Sequence, residues 1–226
     1  MKNYLLFTIF TVGIFLFSIQ NVQAVDWTTV RCPTPPKSQG IVNHIFFPFY
    51  EKTANIKTYI PRSLTLLDPV YTVGRARCLT AQSYSAFITL DEALFKDTGS
   101  NLVVTSAWRS AATQLYFARL RGEYAALPGR SEHQLGIAVD LDVRGSKPED
   151  YFGDSPVYQW MISHAAEYGF VQSFDAAGQE ATGVPNEPWH WRYVGPTIAT
   201  KVKLENRNIN EYLYQRMEAK KKGLIY

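Results

Sequence analysis

The segment Ile137-Ala138-Val139-Asp140-Leu141-Asp142-Val143 alternates large apolar residues with small or acidic ones. A period of two places successive side chains on opposite faces of a strand. Ile137, Val139, Leu141 and Val143 are expected to face a core, with Ala138, Asp140 and Asp142 on the other side. A carboxylate rising from a strand otherwise packed into a core needs a partner. Just upstream stands Ser131-Glu132-His133-Gln134-Leu135-Gly136. Gly136 allows a turn that swings His133 back beside Asp140, and an imidazole next to a carboxylate suits zinc.

A second segment completes the pattern. In Glu187-Pro188-Trp189-His190-Trp191-Arg192-Tyr193-Val194, Trp189, Trp191 and Tyr193 alternate with His190, Arg192 and Val194. The period is again that of a strand, and the aromatics around His190 can shield a site from water. A lone histidine is more often structural, and a single strand aspartate often pairs with an arginine. Together the segments supply His133, Asp140 and His190. Three protein ligands with one open position describe a catalytic zinc site, not a structural one. Glu187, three residues before His190, is a carboxylate that can take a proton from water as general base. Asp142 shares a face with Asp140 and is expected either to orient a ligand or to form an ordinary salt bridge. His164 and His44 have no such setting and are read as non-ligands.

Around these segments the chain reads as a mixture of helices and scattered short strands without regular βαβ alternation. That pattern favours an α+β domain. A helix is expected over 80–97, with Ala81, Tyr84, Phe87, Ile88, Leu94 and Phe95 inward and Gly99 as its stop. A short strand is expected over 101–105 and a second helix over 111–120. A third helix is expected over 156–168, with Trp160, Met161, Ala165 and Tyr168 inward and Gly169 ending it. The charged residues from 198 to 226 are expected to form a helical tail. The net charge of +3 is too small to argue for nucleic acid.

Lys2, the apolar run Tyr4–Phe17 and Val22-Gln23-Ala24 have the order of a secretory leader, so 1–24 is expected to be cleaved. The competing reading is a retained anchor, for which the run is short. Without the leader no membrane span is expected, and the mature protein is placed in the periplasm or the cell-wall space. Residues 25–74 contain Pro33, Pro35 and Pro36 and read as an extended lead-in packed on a domain at 75–197. In an oxidising compartment two cysteines suggest one Cys32–Cys78 disulfide, with two separate buried thiols as the alternative.

The paired motifs SEHxxGxAxD and ExWHWRYVG resemble those of the zinc D-alanyl-D-alanine carboxypeptidase family, which includes the vancomycin-resistance carboxypeptidases and dipeptidases. Thr105-Ser106-Ala107-Trp108-Arg109-Ser110 is similar to that family's SGYRS segment, with Gln114 at its following glutamine. Trp160–Phe170 is similar to its helix ending in YGF. The resemblance covers about residues 75–197. It implies a hedgehog/D-Ala-D-Ala-peptidase-like fold, an antiparallel sheet flanked by helices with a zinc cleft. It implies one zinc on His133, Asp140 and His190, with Glu187 as base. It implies Arg109 as the group that polarises the scissile carbonyl or holds the substrate, and Ser131 and Gln114 as substrate contacts. Trp189 is counted with these contacts. The implied partners are peptidoglycan stem peptides, cut by a monomer. L,D-carboxypeptidase, D,D-dipeptidase and endopeptidase activities on the same fold are alternatives, and a non-catalytic peptidoglycan- or zinc-binding domain is a remoter one. Ala107-Trp108 departs from the family's Gly-Tyr, and His164 stands where asparagine is common.

Overall fold

A computed structural model describes residues 30–39, 56–73, 77–121 and 125–224. The chain divides into two units, Met1–Val30 and Arg31–Tyr226, and the architecture below is that of the second. The expected leader at 1–24 and His44 lie outside the described residues.

Two short strands, β1 (Leu64–Leu66) and β2 (Cys78–Thr80), pair antiparallel. Thr80 ends β2 and caps the next helix, its hydroxyl accepting the Ser83 N–H at 3.3 Å. That helix, α1 (Ala81–Thr98), stops at Gly99, whose φ of 72° lies in the left-handed region. Its buried face is Ser83, Phe87, Leu90, Asp91 and Leu94. The expected stripe was therefore partly misplaced. Ile88 is only half-buried and Phe95 is exposed, because the face that meets the core runs i, i+4, i+7, i+8 from Ser83. Asp91 is buried because its carboxylate accepts the Leu102 N–H at 2.6 Å and an Asn101 amide N–H at 2.9 Å. It thereby ties α1 to the start of β3 (Leu102–Ser106).

Helix α2 (Ala111–Arg121) follows, then the ligand-bearing segment and β4 (Ala138–Val143). The expected third helix is split into α3 (Pro156–His164) and a 3₁₀ turn, Ala165–Tyr168, that ends at Gly169 with φ 86°. Met161 and Ala165 point inward as expected, whereas Trp160 and Tyr168 are only half-buried against the core. Strand β5 (Phe170–Gln172), the short α4 (Gln179–Thr182) and β6 (His190–Tyr193) come next. The second sheet has the order β3-β4-β6-β5 and is antiparallel throughout. The core lies between this sheet and helices α1 and α3, filled by Phe87, Leu90, Leu94, Val104, Ile137, Val139, Leu141, Met161 and Trp191. Ile137, Val139 and Leu141 thus face inward as their alternation predicts.

The C-terminal residues form α5 (Pro196–Leu204) and α6 (Ile209–Lys221). They are joined to the sheet by a second apolar cluster containing Val171, Val194, Val202, Ile209 and Leu213. Two buried amides, Asn208 and Asn210, donate to the Ser173 carbonyl at 3.2 and 2.9 Å. Cys32 and Cys78 are joined in a disulfide with Cα atoms 5.9 Å apart. Among the described residues, no helix is long and apolar enough to cross a membrane.

Candidate metal centre

Register decides which side chains meet. Asp140 on β4 pairs directly with His190 on β6, and Ala138 pairs with Arg192. Cross-strand partners share a face, so a carboxylate and an imidazole emerge side by side on the face opposite Val139 and Trp191. His133 arrives from the 3₁₀ turn Glu132–Leu135, which Gly136 ends with φ 69°. A Cβ on Gly136 would lie 2.9 Å from Leu64 Cδ2, so both conformation and space require glycine there. The turn brings His133 beside Asp140, as the sequence suggests.

The three side chains form a triangle. His133 Nε2 lies 3.3 Å from Asp140 Oδ1 and 3.3 Å from His190 Nδ1, and His190 Nδ1 lies 2.9 Å from Asp140 Oδ1. Tetrahedral zinc with bonds of about 2.0–2.2 Å separates its ligand atoms by about 3.3–3.6 Å. The triangle is near that size, and the donor set of two imidazoles and one carboxylate fits the ion. Among the described residues, this is the one group of three or more such side chains close enough to share a metal.

Tautomers follow from the outer partners. His133 Nδ1 donates to the Ala107 carbonyl at 2.8 Å, which leaves the Nε2 lone pair facing the triangle. His190 Nε2 bonds Glu132 Oε2 at 2.9 Å, so Nδ1 faces the triangle. Glu132 is almost wholly buried, accepts from Ser173 Oγ at 2.6 Å and pairs with Arg192 Nη1 at 2.7 Å. The sequence reading gave Glu132 no role. The signal was Arg192, a charge two residues after His190 in a strand where all four residues are buried. A guanidinium there requires a buried carboxylate nearby.

These contacts set the charges of the metal-free site. Burial alone would raise the Glu132 pKa, but Arg192 and His190 outweigh it and lower it to about 2. Burial and then Arg109 lower the His133 pKa to about 4. Burial would lower that of His190, yet its hydrogen bonds to the Asp140 and Glu132 carboxylates push it up to about 10. Asp140 is held well below the usual carboxylate range by both histidines, against its burial.

Arg109 flanks the triangle. Its Nη1 lies 3.4 Å from Asp140 Oδ2 and donates to Ser106 Oγ at 2.7 Å. Its Nε donates to Gln114 Oε1 at 3.0 Å, and the guanidinium lies 4.9 Å above the Phe117 ring. Gln114 is buried, and its amide N–H bonds the Ala126 carbonyl at 2.8 Å, so it braces Arg109 against the loop beyond α2. Glu187 Oε2 stands 4.0 Å from His190 Nδ1, outside the triangle. Arg109, Gln114, Ser131, Glu187 and Trp189 line one cleft with His133, Asp140 and His190, so the folding brings the expected ligands, base and substrate contacts together. Trp108, where the resemblance leads one to expect tyrosine, donates its indole N–H to the Gln134 carbonyl at 3.1 Å and so fastens the Arg109 loop to the His133 turn.

Asp142 does not line the cleft of the triangle, and neither of its expected roles is seen among the described residues. Its carboxylate accepts the Val143 N–H at 2.7 Å and lines a separate cavity. His164 is half-buried, 3.3 Å from Glu167 and packed on Trp160.

Comparison with known proteins agrees with this geometry. A D-alanyl-D-alanine carboxypeptidase of Enterococcus faecalis (strain ATCC 700802 / V583) is 41% identical over 90 residues, 40% of this chain and 32% of the relative. The solved LdcB LD-carboxypeptidase superposes with a TM-score of 0.62 at 28% identity, over 70% of this chain and 80% of that one. A VanY D,D-pentapeptidase variant in complex with Zn(II) superposes with a TM-score of 0.55 at 28% identity, over 71% and 96%. The chain spans 32% to 61% of the length of the curated relatives it matches. The sequence profile described as VanY, D-alanyl-D-alanine carboxypeptidase, matches residues 77–196, more than half of the chain. With the fold, the triangle and the profile in agreement, the chain belongs to the VanY D-alanyl-D-alanine carboxypeptidase family.

Proposed function

We propose that this chain is an exported zinc carboxypeptidase that removes the terminal D-alanine from peptidoglycan stem peptides. The observation that carries the reading is the triangle of His133 Nε2, Asp140 Oδ1 and His190 Nδ1 in a cleft that also holds Glu187 and Arg109. These three atoms would hold the ion. When bound, zinc supplies a Lewis acid and lowers the pKa of a water to about 7. Glu187 Oε2 takes the proton of the attacking water and returns it to the leaving amine, acting first as base and then as acid. Arg109 carries a fixed positive charge beside Asp140, where it suits the developing oxyanion or the substrate's terminal carboxylate. Gln114 acts through Arg109. Ser131 and Trp189 border the substrate, and the aromatic wall that includes Phe174 limits water in the cleft. The leader-like sequence of residues 1–24 and the Cys32–Cys78 bridge are the features that favour export in this reading.

A second reading, cleavage of an L,D bond, is favoured by the likeness to an LD-carboxypeptidase. It uses the same residues and differs in the configuration, L instead of D, of the residue that supplies the scissile carbonyl; the released terminal residue is D in both.

Glu187→Gln tests the mechanism. The variant keeps side-chain size and loses the proton acceptor, so it should retain zinc and the fold while kcat falls by about 10²–10⁴-fold. Wild-type kcat in Glu187→Gln would assign the base elsewhere.

A further inference from the structure

A second cavity adjoins the metal cleft. Arg109 and Phe117 line both. Arg31 and Arg77, each the residue immediately before a disulfide cysteine, also line it, with Trp108 and Tyr116. The Cys32–Cys78 bridge fixes the chain that carries Arg31 next to the chain that carries Arg77. The Cys78 carbonyl in turn accepts the Trp108 N–H at 2.9 Å, one residue before Arg109. Three arginines are thus gathered at one cavity by one covalent bond and one backbone hydrogen bond. No acidic side chain stands among the described residues that line it. Its volume of about 340 Å³ falls within the roughly 300–1,000 Å³ of small-ligand pockets.

We propose that this cavity is an anion subsite. It takes a carboxylate carried by the substrate peptide upstream of the residue in the metal cleft. The proposal rests on the peptidase reading for the position of the peptide, not for the chemistry of the subsite. Guanidinium groups match carboxylates in shape and charge, and a partly enclosed site weakens competition from water. The aromatic rings beside them give the peptide an apolar surface to lie on. An acidic residue near the peptide's end would be drawn to Arg31 and Arg77 while the terminal residue reaches the triangle. The disulfide then contributes to specificity as well as to stability, because it sets the spacing of two of the three charges.

Two peptides ending in D-Ala-D-Ala provide the test, one with a free side-chain carboxylate upstream and one with that carboxylate amidated. Wild-type kcat/KM should favour the acid by about tenfold, mostly through KM, as expected for charge-assisted hydrogen bonds at a partly exposed site. The preference should shrink as ionic strength rises. In Arg31→Gln/Arg77→Gln the acid-to-amide ratio should fall to about one, the amide serving as the internal control for folding. Equal kcat/KM on the two peptides in wild type would overturn the subsite. Should wild type hydrolyse neither, the peptidase reading fails, and calorimetric binding of both peptides to metal-free protein decides the subsite alone. Tighter binding of the acid, lost in the double variant, sustains it, and equal binding overturns it. If the double variant fails to fold, Cys32→Ser/Cys78→Ser replaces it and should also lower the ratio. An unchanged ratio there contradicts the role given to the bridge.

Discussion

Glu132 shows how much of a metal site lies behind its ligands. It holds the His190 ring by one carboxylate oxygen and Arg192 by the other. Outer partners of this kind typically change metal affinity by about 10–100-fold. Glu132→Gln keeps an acceptor but loses the charge, so zinc affinity should fall by about that factor in a competition titration with a chelator. Unchanged affinity would make the contact incidental. The same contacts set a pH dependence. In metal-free protein His190 is raised from 6.5 to about 10, so near neutral pH it carries a proton that zinc must displace. His133 is lowered to about 4 and is already neutral. A raised histidine pKa stabilises the metal-free fold fully below 6.5 and ceases to do so as pH passes 10. Zinc affinity should therefore rise with pH toward 10. Calorimetric titrations in two buffers near neutral pH should show about one proton released per zinc, and none released would contradict the assignment of His190. The triangle was legible in the sequence because strand alternation marked Asp140 and His190 as polar residues in core strands and Gly136 allowed the turn that brings His133 beside them. Glu132 was not legible, because Ser173 and Arg192, the residues that hold it, lie 41 and 60 positions away.

At the level of elements, the site depends on the β4–β6 register and on the turn at Gly136. A one-residue slip would turn Asp140 into the core and separate it from His190. Gly136→Ala and Gly99→Ala can be compared, since both positions have positive φ but only Gly136 is crowded. Gly99→Ala should cost about 1–2 kcal/mol from backbone strain alone. Gly136→Ala should cost about 1–3 kcal/mol more from overpacking and should also weaken zinc binding. Denaturant unfolding of the two variants measures the difference, and equal costs would mean that Leu64 yields freely. The β-rich run Leu102-Val103-Val104 located β3, and periodicity located α1 and β4. It misjudged the outward Phe95 and missed the break between α3 and the 3₁₀ turn. The strand order β3-β4-β6-β5 could not be read from the sequence, because pairing between distant segments leaves no local pattern.

At the largest scale, two features outside the ligand triangle close the unit that begins at Arg31. Helices α5 and α6 cover the sheet through their own apolar cluster, and the disulfide joins residues 46 apart. Removing a bridge of this span typically costs about 2–4 kcal/mol. Cys32→Ser/Cys78→Ser should lower Tm by about 5–15 °C in a chain of this size, and an unchanged Tm would mean the bridge constrains little. The ligand triangle and the cleft converge on one proposed reaction, which mass spectrometry reads directly. Zinc-loaded protein incubated with a stem peptide ending in D-Ala-D-Ala should yield the peptide shortened by a single alanine, and His190→Ala should not. An unchanged peptide, or one split in its interior, from wild-type protein holding stoichiometric zinc would contradict the assignment as a D-alanyl-D-alanine carboxypeptidase.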